Sequence, residues 1–291
     1  MVDIDRAEIE KFTQLGRTID VPICADAGEF IEALKNSMGS FWVEEWQCYF
    51  IGDKQAKWLE QIIAWRKLYD NPVATWPGIN PYQLMKDIAK WTTPEDILVS
   101  DTGTALGYLM QGYPFKGERF LHAFNMTPMG YGLPAAVGAS FATQKRVILV
   151  TGDGSFMMSL AELSTVARWD LNIKIILLNN QGHNMCKQTE RQWFDGKHAS
   201  TTVESGLGFP EYWPQLADSF GIRAYSDYDG TGIKTLSDLF RDDRAAFMEV
   251  DISPDAYLIP QARFGKPLED ADPPLPRDEL RQQMLIPLVD E

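Results

Sequence analysis

Asp153 and Asn180 are the two side chains of this sequence that could together hold a hard divalent cation. Asp153 lies in the run Gly152, Asp153, Gly154, Ser155, directly after the apolar stretch 147–150. Asn180 follows the apolar stretch 173–178 as the second of the pair Asn179, Asn180. The carboxylate brings charge, the amide a neutral oxygen, and backbone carbonyls of the loop beyond Asn180 further hard ligands. With the oxygens of a diphosphate and water, such a set completes the octahedron that Mg²⁺ prefers. Gly152 and Gly154 let the backbone approach a ligand closely, and a following helix offers its first N–H groups to an anion. Taken alone, Gly-Asp-Gly is also an ordinary strand-to-helix turn. The Gly-x-Gly-x-x-Gly spacing of dinucleotide sites is absent here, and no Gly-Lys-Ser/Thr follows.

Asp153 and Asn180 are 27 positions apart. They converge only if each sits just past the C-terminal end of a parallel strand, where open α/β sheets line their ligand crevice. The surrounding pattern predicts that arrangement. Helices are expected at 82–91, from about 105 to 111, and at 132–142, 160–168, 211–220 and 235–241. Strands are expected at 96–100, 119–123, 146–151, 173–178 and 246–252. Short apolar strands separated by helices predict an α/β fold, a doubly wound parallel sheet covered by helices on both faces. Upstream, strands at 2–4 and 19–24 flank a helix at 6–13, and Asp26 is a good N-cap for a second helix. Residues 38–80 form a helical segment rich in tryptophan (Trp42, Trp46, Trp58, Trp65) and a linker, broken by Pro72, Pro77 and Pro81. The expected divisions are thus 1–37, 38–80, 81–260 for the sheet domain and 261–291 for a proline-containing tail.

Composition narrows the classes of function. The net charge of −14, from 41 acidic and 27 basic residues with no Lys/Arg block, argues against a nucleic-acid groove or an anionic membrane surface. No apolar run approaches the roughly 18 residues of a membrane span. Three cysteines (Cys24, Cys48, Cys186) without a CxxC pair fit a reducing cytosol, so a cytoplasmic location is expected. His122, His183 and His198 are too scattered for a zinc site.

Residues 152–180 as a whole, GDGSFMMSLAELSTVARWDLNIKIILLNN, resemble the metal-and-diphosphate signature of thiamin-diphosphate enzymes, most closely the acetolactate synthase group. The resemblance implies thiamin diphosphate and Mg²⁺ as cofactors, with Asp153, Asn180 and the carbonyl of Gly182 as metal ligands. Gly152, Gly154 and Ser155 belong to the same signature. Residues 126–136, MTPMGYGLPAA, resemble the stretch that bends this cofactor into its V shape. Met129 then stands for the apolar residue between the two rings, where the alternative is a core methionine. Thr127 occupies a position that is commonly glycine in the family, with a backbone carbonyl facing the aminopyrimidine. Residues 101–105, DTGTA, fall where a first diphosphate loop belongs, so Gly103, Thr104 and Ala105 are candidates. His183 stands where related decarboxylases often carry tyrosine, either as a substrate contact or as an exposed loop residue.

The resemblance extends over nearly the whole chain. Residues 1–37 are similar to the end of the central domain of acetolactate synthases, a resemblance carried by 2–9 and 19–27. Residues 188–194 and 265–270 are similar, more weakly, to homologues in cell-surface polysaccharide clusters. In this family a glutamate on a separate pyrimidine-binding domain activates the cofactor across a subunit interface. No such domain is legible in these residues, and Glu162 lies within the cofactor-binding part. The chain is expected to begin partway through a larger architecture and to take its catalytic glutamate from elsewhere. Three readings stay open: one subunit of a split enzyme, a piece of a longer one, or a non-catalytic cofactor-binding or scaffold module. The implied chemistry is decarboxylation of a 2-oxo acid, with or without ligation to an acceptor. The implied assembly is a homo- or hetero-oligomer that brings in a pyrimidine-binding subunit.

Overall fold

The computed structural model describes residues 1–37, 53–69, 76–225 and 233–289, and the chain divides into two units, 1–70 and 71–291. In the first unit β1 (Val2–Asp3) pairs in parallel with β2 (Ile23–Cys24), beside α1 (Arg6–Gln14) and α2 (Ala27–Ser37), and the same unit contains α3 (Asp53–Leu68). The strand expected from residue 19 shrinks to two residues, in keeping with Pro22, which has no N–H to give to a ladder. Asp26 caps α2 as expected, its Oδ1 accepting from the N–H groups of Gly28 and Glu29 at 2.8 and 3.1 Å. Trp42 and Trp46 lie outside the described residues. Trp58 and Trp65, one above the other on α3, meet edge to face with ring centroids 5.5 Å apart.

The second unit is built on β-branched and aliphatic runs with no polar face. β3 (Ile97–Ser100) and β6 (Ile173–Asn179) are buried from end to end, and β5 (Val147–Gly152) is buried except at its last residue. Such strands need cover on both sides. With β4 (Arg119–Leu121), β7 (Arg223–Tyr225) and β8 (Ala246–Asp251) they form one six-stranded sheet in the order β4-β3-β5-β6-β8-β7, every pair parallel. Alternate residues enter opposite cores. Leu98, Ile148, Val150 and Ile176 pack beneath α4 (Pro81–Ala89), α5 (Thr104–Gly112) and α11 (Ile233–Arg241). Val99, Val147, Leu149 and Ile175 pack beneath α6 (Gly132–Thr143), α8 (Leu163–Arg168) and α10 (Trp213–Ser219). Each such aliphatic side chain contributes about 1.5–3 kcal/mol on burial. In the interior of β6, which ends on the polar Asn179, Lys174 is the polar exception. It is fully buried, and its ammonium donates to the carbonyls of Asp242 and Arg244. Among the described residues no helix is long and apolar enough to cross a membrane.

Besides the short elements of the tail, three elements around the sheet went unforeseen. β7 is a three-residue edge strand too short to show a pattern. α7 (Asp153–Met157) starts on Asp153 itself, so the helix expected at 160–168 is preceded by a short one, and its own first turn (Leu160–Glu162) is 3₁₀. α9 (Asn184–Trp193) carries no apolar stripe because its buried stripe is polar: Asn184, Lys187 and Gln188. These side chains and Gln192 hydrogen-bond to the segment 254–264, which runs along the helix. Within that segment β9 (Gln261–Ala262) pairs with β10 (Ala271–Asp272), and α12 (Arg277–Gln283) lies near the end of the described residues.

Candidate functional site

The chain passes from β3 outward to β4, then crosses back to lay β5 on the other side of β3. The C-terminal ends of β3 and β5 therefore flank a topological switch point, where such sheets bind ligands. The register sets Ser100 beside Val150, and Gly152 beside Leu178, so the loops after β3, β5 and β6 leave the same edge. Between them lies a cleft of about 200 Å³. It is lined by Gly103, Thr104, Ala105, Thr127, Met129, Gly152, Asp153, Gly154, Ser155, Asn180 and Gly182, which is every candidate named from the sequence. His183 lines it too, half-buried.

Asp153 is 1% exposed at the N-terminus of α7. Its Oδ1 accepts from the Gly154 N–H at 2.6 Å, and its Oδ2 from the N–H groups of Asn180 and Gly182 at 3.2 and 3.3 Å. Burial pushes its carboxyl up to about 6, against these backbone donors. A carboxylate so desolvated is raised until a cation comes to it. Asn180, also buried, directs its Oδ1 at the Gly182 N–H, 3.1 Å away. Asn179 points elsewhere, donating to Glu249 at 2.8 Å and Asp251 at 3.3 Å, and thus ties the ends of β6 and β8. Of the asparagine pair, only Asn180 faces the cleft.

The other loops are bound to this one by Asp101, which the sequence did not single out, and by the candidate Ser155. Asp101, fully buried, accepts from the N–H groups of Thr102 at 2.7 Å, Gly130 at 3.1 Å and Gly132 at 2.8 Å. It clamps the turn that carries Met129. A side chain at Gly132 would place its Cβ 2.9 Å from that carboxylate, so the clamp needs glycine there. Ser155 Oγ donates to the Thr102 carbonyl at 3.0 Å and links the β5 loop to the β3 loop. The signal for Asp101 was available as an acid directly after an apolar strand, but its partners lie 29 and 31 residues on.

Gly154 is the closest point of approach. A Cβ there would stand 2.4 Å from the His183 ring and 3.4 Å from the Met129 methyl group. Met129 therefore reaches the cleft and is not a core methionine, and His183 packs over the Gly-Asp-Gly turn. Burial lowers the His183 pKa, which favours the neutral ring. Glu162 does not line the cleft, and its carboxylate accepts from Thr165 Oγ1 at 3.0 Å.

Thr127 has φ = +44°, a left-handed conformation that strains a β-branched residue. Its side chain is exposed and its N–H is held by the Ala123 carbonyl at 2.8 Å, so the turn keeps its shape against that strain. Thr127→Gly is expected to raise unfolding stability by about 1 kcal/mol, read by urea denaturation. A loss of stability would show that the threonine side chain supports the turn.

A doubly wound parallel sheet with a glycine-rich, oxygen-lined cleft at its switch point is the architecture of a cofactor-binding α/β domain. Residues 101–250 match the family described as "Thiamine pyrophosphate enzyme, C-terminal TPP binding domain", and the chain belongs to that family. It is similar to the acetolactate synthase large subunit of Cyanidium caldarium, at 31% identity over 76% of this chain and 36% of the relative. It is also similar to the acetolactate synthase isozyme 3 large subunit of Escherichia coli (strain K12), at 27% identity over 91% of this chain and 45% of the relative. The large subunit of Buchnera aphidicola subsp. Acyrthosiphon pisum is 31% identical over 76% of this chain and 36% of its own length. The chain thus spans less than half the length of these curated relatives.

Proposed function

We propose that the cleft holds thiamin diphosphate through Mg²⁺ and serves an acetolactate-synthase-like 2-oxo-acid decarboxylase or carboligase. One observation carries the reading: the buried Asp153 carboxyl, raised to about 6, stands beside Asn180 and Gly182 where three loops meet. Asp153, Asn180 and the Gly182 carbonyl would hold the metal. The orphaned Oδ1 of buried Asn184, which has no hydrogen-bond partner among the described residues, marks the same loop as short of a polar ligand. Gly103, Thr104, Ala105, Gly152, Gly154 and Ser155 would receive the diphosphate, with small side chains and free backbone approach. Met129 would hold the two rings in their bent form and Thr127 would present its carbonyl to the aminopyrimidine. When bound, the cofactor supplies a nucleophilic carbon and an electron sink for a 2-oxo acid. The chain's own residues would orient it, with Asp153 and Asn180 holding the metal that offsets its diphosphate charge.

The proton relay that activates the cofactor belongs, in this reading, to a pyrimidine-binding domain outside these residues, whether on the same polypeptide or on a second one. The relatives' printed names, all acetolactate synthase large subunits, favour an enzyme over a passive scaffold. A cytoplasmic setting is part of the proposal and rests on the sparse cysteines. The test is calorimetry of thiamin diphosphate against the purified chain. Binding is expected with Mg²⁺ and not in excess chelator; equal heats in both would remove the metal from the site.

A further inference from the structure

The Gly182 carbonyl shares a planar trans peptide with the His183 N–H, so the two point in opposite directions. That N–H donates to the Thr201 carbonyl at 2.9 Å, and Gly182 and Thr202 form an antiparallel bridge. Whatever fixes Thr201 therefore fixes the direction of the Gly182 carbonyl. Thr201 is held by Glu190, which lies seven residues beyond His183 on α9. Glu190 Oε2 accepts from Thr201 Oγ1 at 2.7 Å and from His198 Nδ1 at 2.8 Å, and Oε1 accepts from the Ala199 N–H at 3.2 Å. Ser205 Oγ completes the hold, accepting from the N–H groups of Thr201 and Thr202 at 2.9 Å each. The loop so gathered includes Asp195 and Ser200 at φ = +52° and +60°. Left-handed non-glycine residues persist only where their surroundings over-determine them. One carboxylate, 12% exposed, thus gathers three groups of a returning loop beside the cleft.

We propose that Glu190 is a positioning residue for the metal: through Thr201 it orients the Gly182 carbonyl toward the cation. This rests on the reading of Gly182 as a ligand. Groups that orient metal ligands without touching the metal commonly change affinity by 10–100-fold when lost.

The experiment titrates Mg²⁺ into the chain at saturating thiamin diphosphate, for the parent, Glu190→Ala, Thr201→Val, Thr201→Ser and Asp153→Ala. Thr201→Val removes one hydroxyl with almost no change of shape, which guards against a Glu190→Ala chain that fails to fold. Affinity is expected to fall about tenfold in Glu190→Ala and in Thr201→Val, and to return to the parent value in Thr201→Ser. The paramagnetic resonance spectrum of bound Mn²⁺ should change in Thr201→Val and not in Thr201→Ser. A role confined to stability would lower the melting temperature and leave affinity and spectrum alone. Parent-like Mg²⁺ affinity in Thr201→Val, with Asp153→Ala impaired, overturns the role of Glu190 and leaves the metal site standing. If the parent does not bind, or Asp153→Ala binds as the parent does, the site reading itself fails and this inference with it.

Discussion

Asp153→Ala is expected to weaken Mg²⁺-dependent binding of thiamin diphosphate by roughly 10²–10³-fold, the equivalent of about 3–4 kcal/mol. Among the described residues lining the cleft, Asp153 is the one carboxylate. Without it the diphosphate must share the metal with neutral oxygens in a desolvated setting, and the charge of the cation is poorly matched by the protein. Calorimetry on the variant reads the loss directly, and affinity equal to the parent would remove Asp153 from the site. The same side chain sets a pH dependence in the metal-free chain. Its folded pKa of about 6 lies above the ordinary 3.8, so the folded state holds its proton more tightly than the unfolded state. That contribution to stability is fully present below about pH 4 and is lost as pH rises through about 6. In chelator, denaturant midpoints should therefore fall between these values in the parent and fall less in Asp153→Asn. An identical slope in both chains would assign the effect to other groups.

No decarboxylase or carboligase turnover is expected from these 291 residues alone, even with thiamin diphosphate and Mg²⁺ saturating. The reason lies in the cleft wall. No glutamate is among its described lining residues, the acid there is the proposed metal ligand Asp153, and Glu162 is turned to Thr165. General acid–base assistance is worth roughly 10²–10⁴-fold, and an active site open to water loses more through unshielded charge. Pyruvate consumption gives the first measurement and exchange of the cofactor C2 proton, followed by NMR, the second. Addition of a pyrimidine-binding domain should restore both. Exchange by the chain alone, much faster than for free cofactor, would mean that an activating group is present here and that the division of labour proposed above is wrong.

The parts of the site carried by local chemistry were readable. The apolar runs 147–150 and 173–178, one leading to Gly-Asp-Gly and the other to Asn-Asn, suit buried parallel strands because they have no polar face and alternate with helical segments. Gly154 could be read as a place of close approach, and the His183 ring and Met129 methyl group now occupy the space a side chain would take. α9 could not be read in this way. Its buried stripe is polar and gains its partners from a segment about 70 residues away. Hydropathy registers which residues leave water but not which find a hydrogen bond.

Asp101 and Glu190 make the same point at the site. As residue types they are two acids among 41 acidic residues, and most such acids are solvated surface. By itself the sequence pointed to the α/β class and to strand ends carrying Asp153 and Asn180, since these follow from residue type and short-range period, whereas the Gly182 carbonyl, Met129 and the diphosphate loops came from the resemblance to a family. Only the tertiary structure decided which acid clamps the Met129 turn and which one holds Thr201 beside the Gly182 peptide. Those choices depend on strand register and on loops returning from distant positions, where hydrogen-bond geometry within a few tenths of an ångström separates a partner from a neighbour.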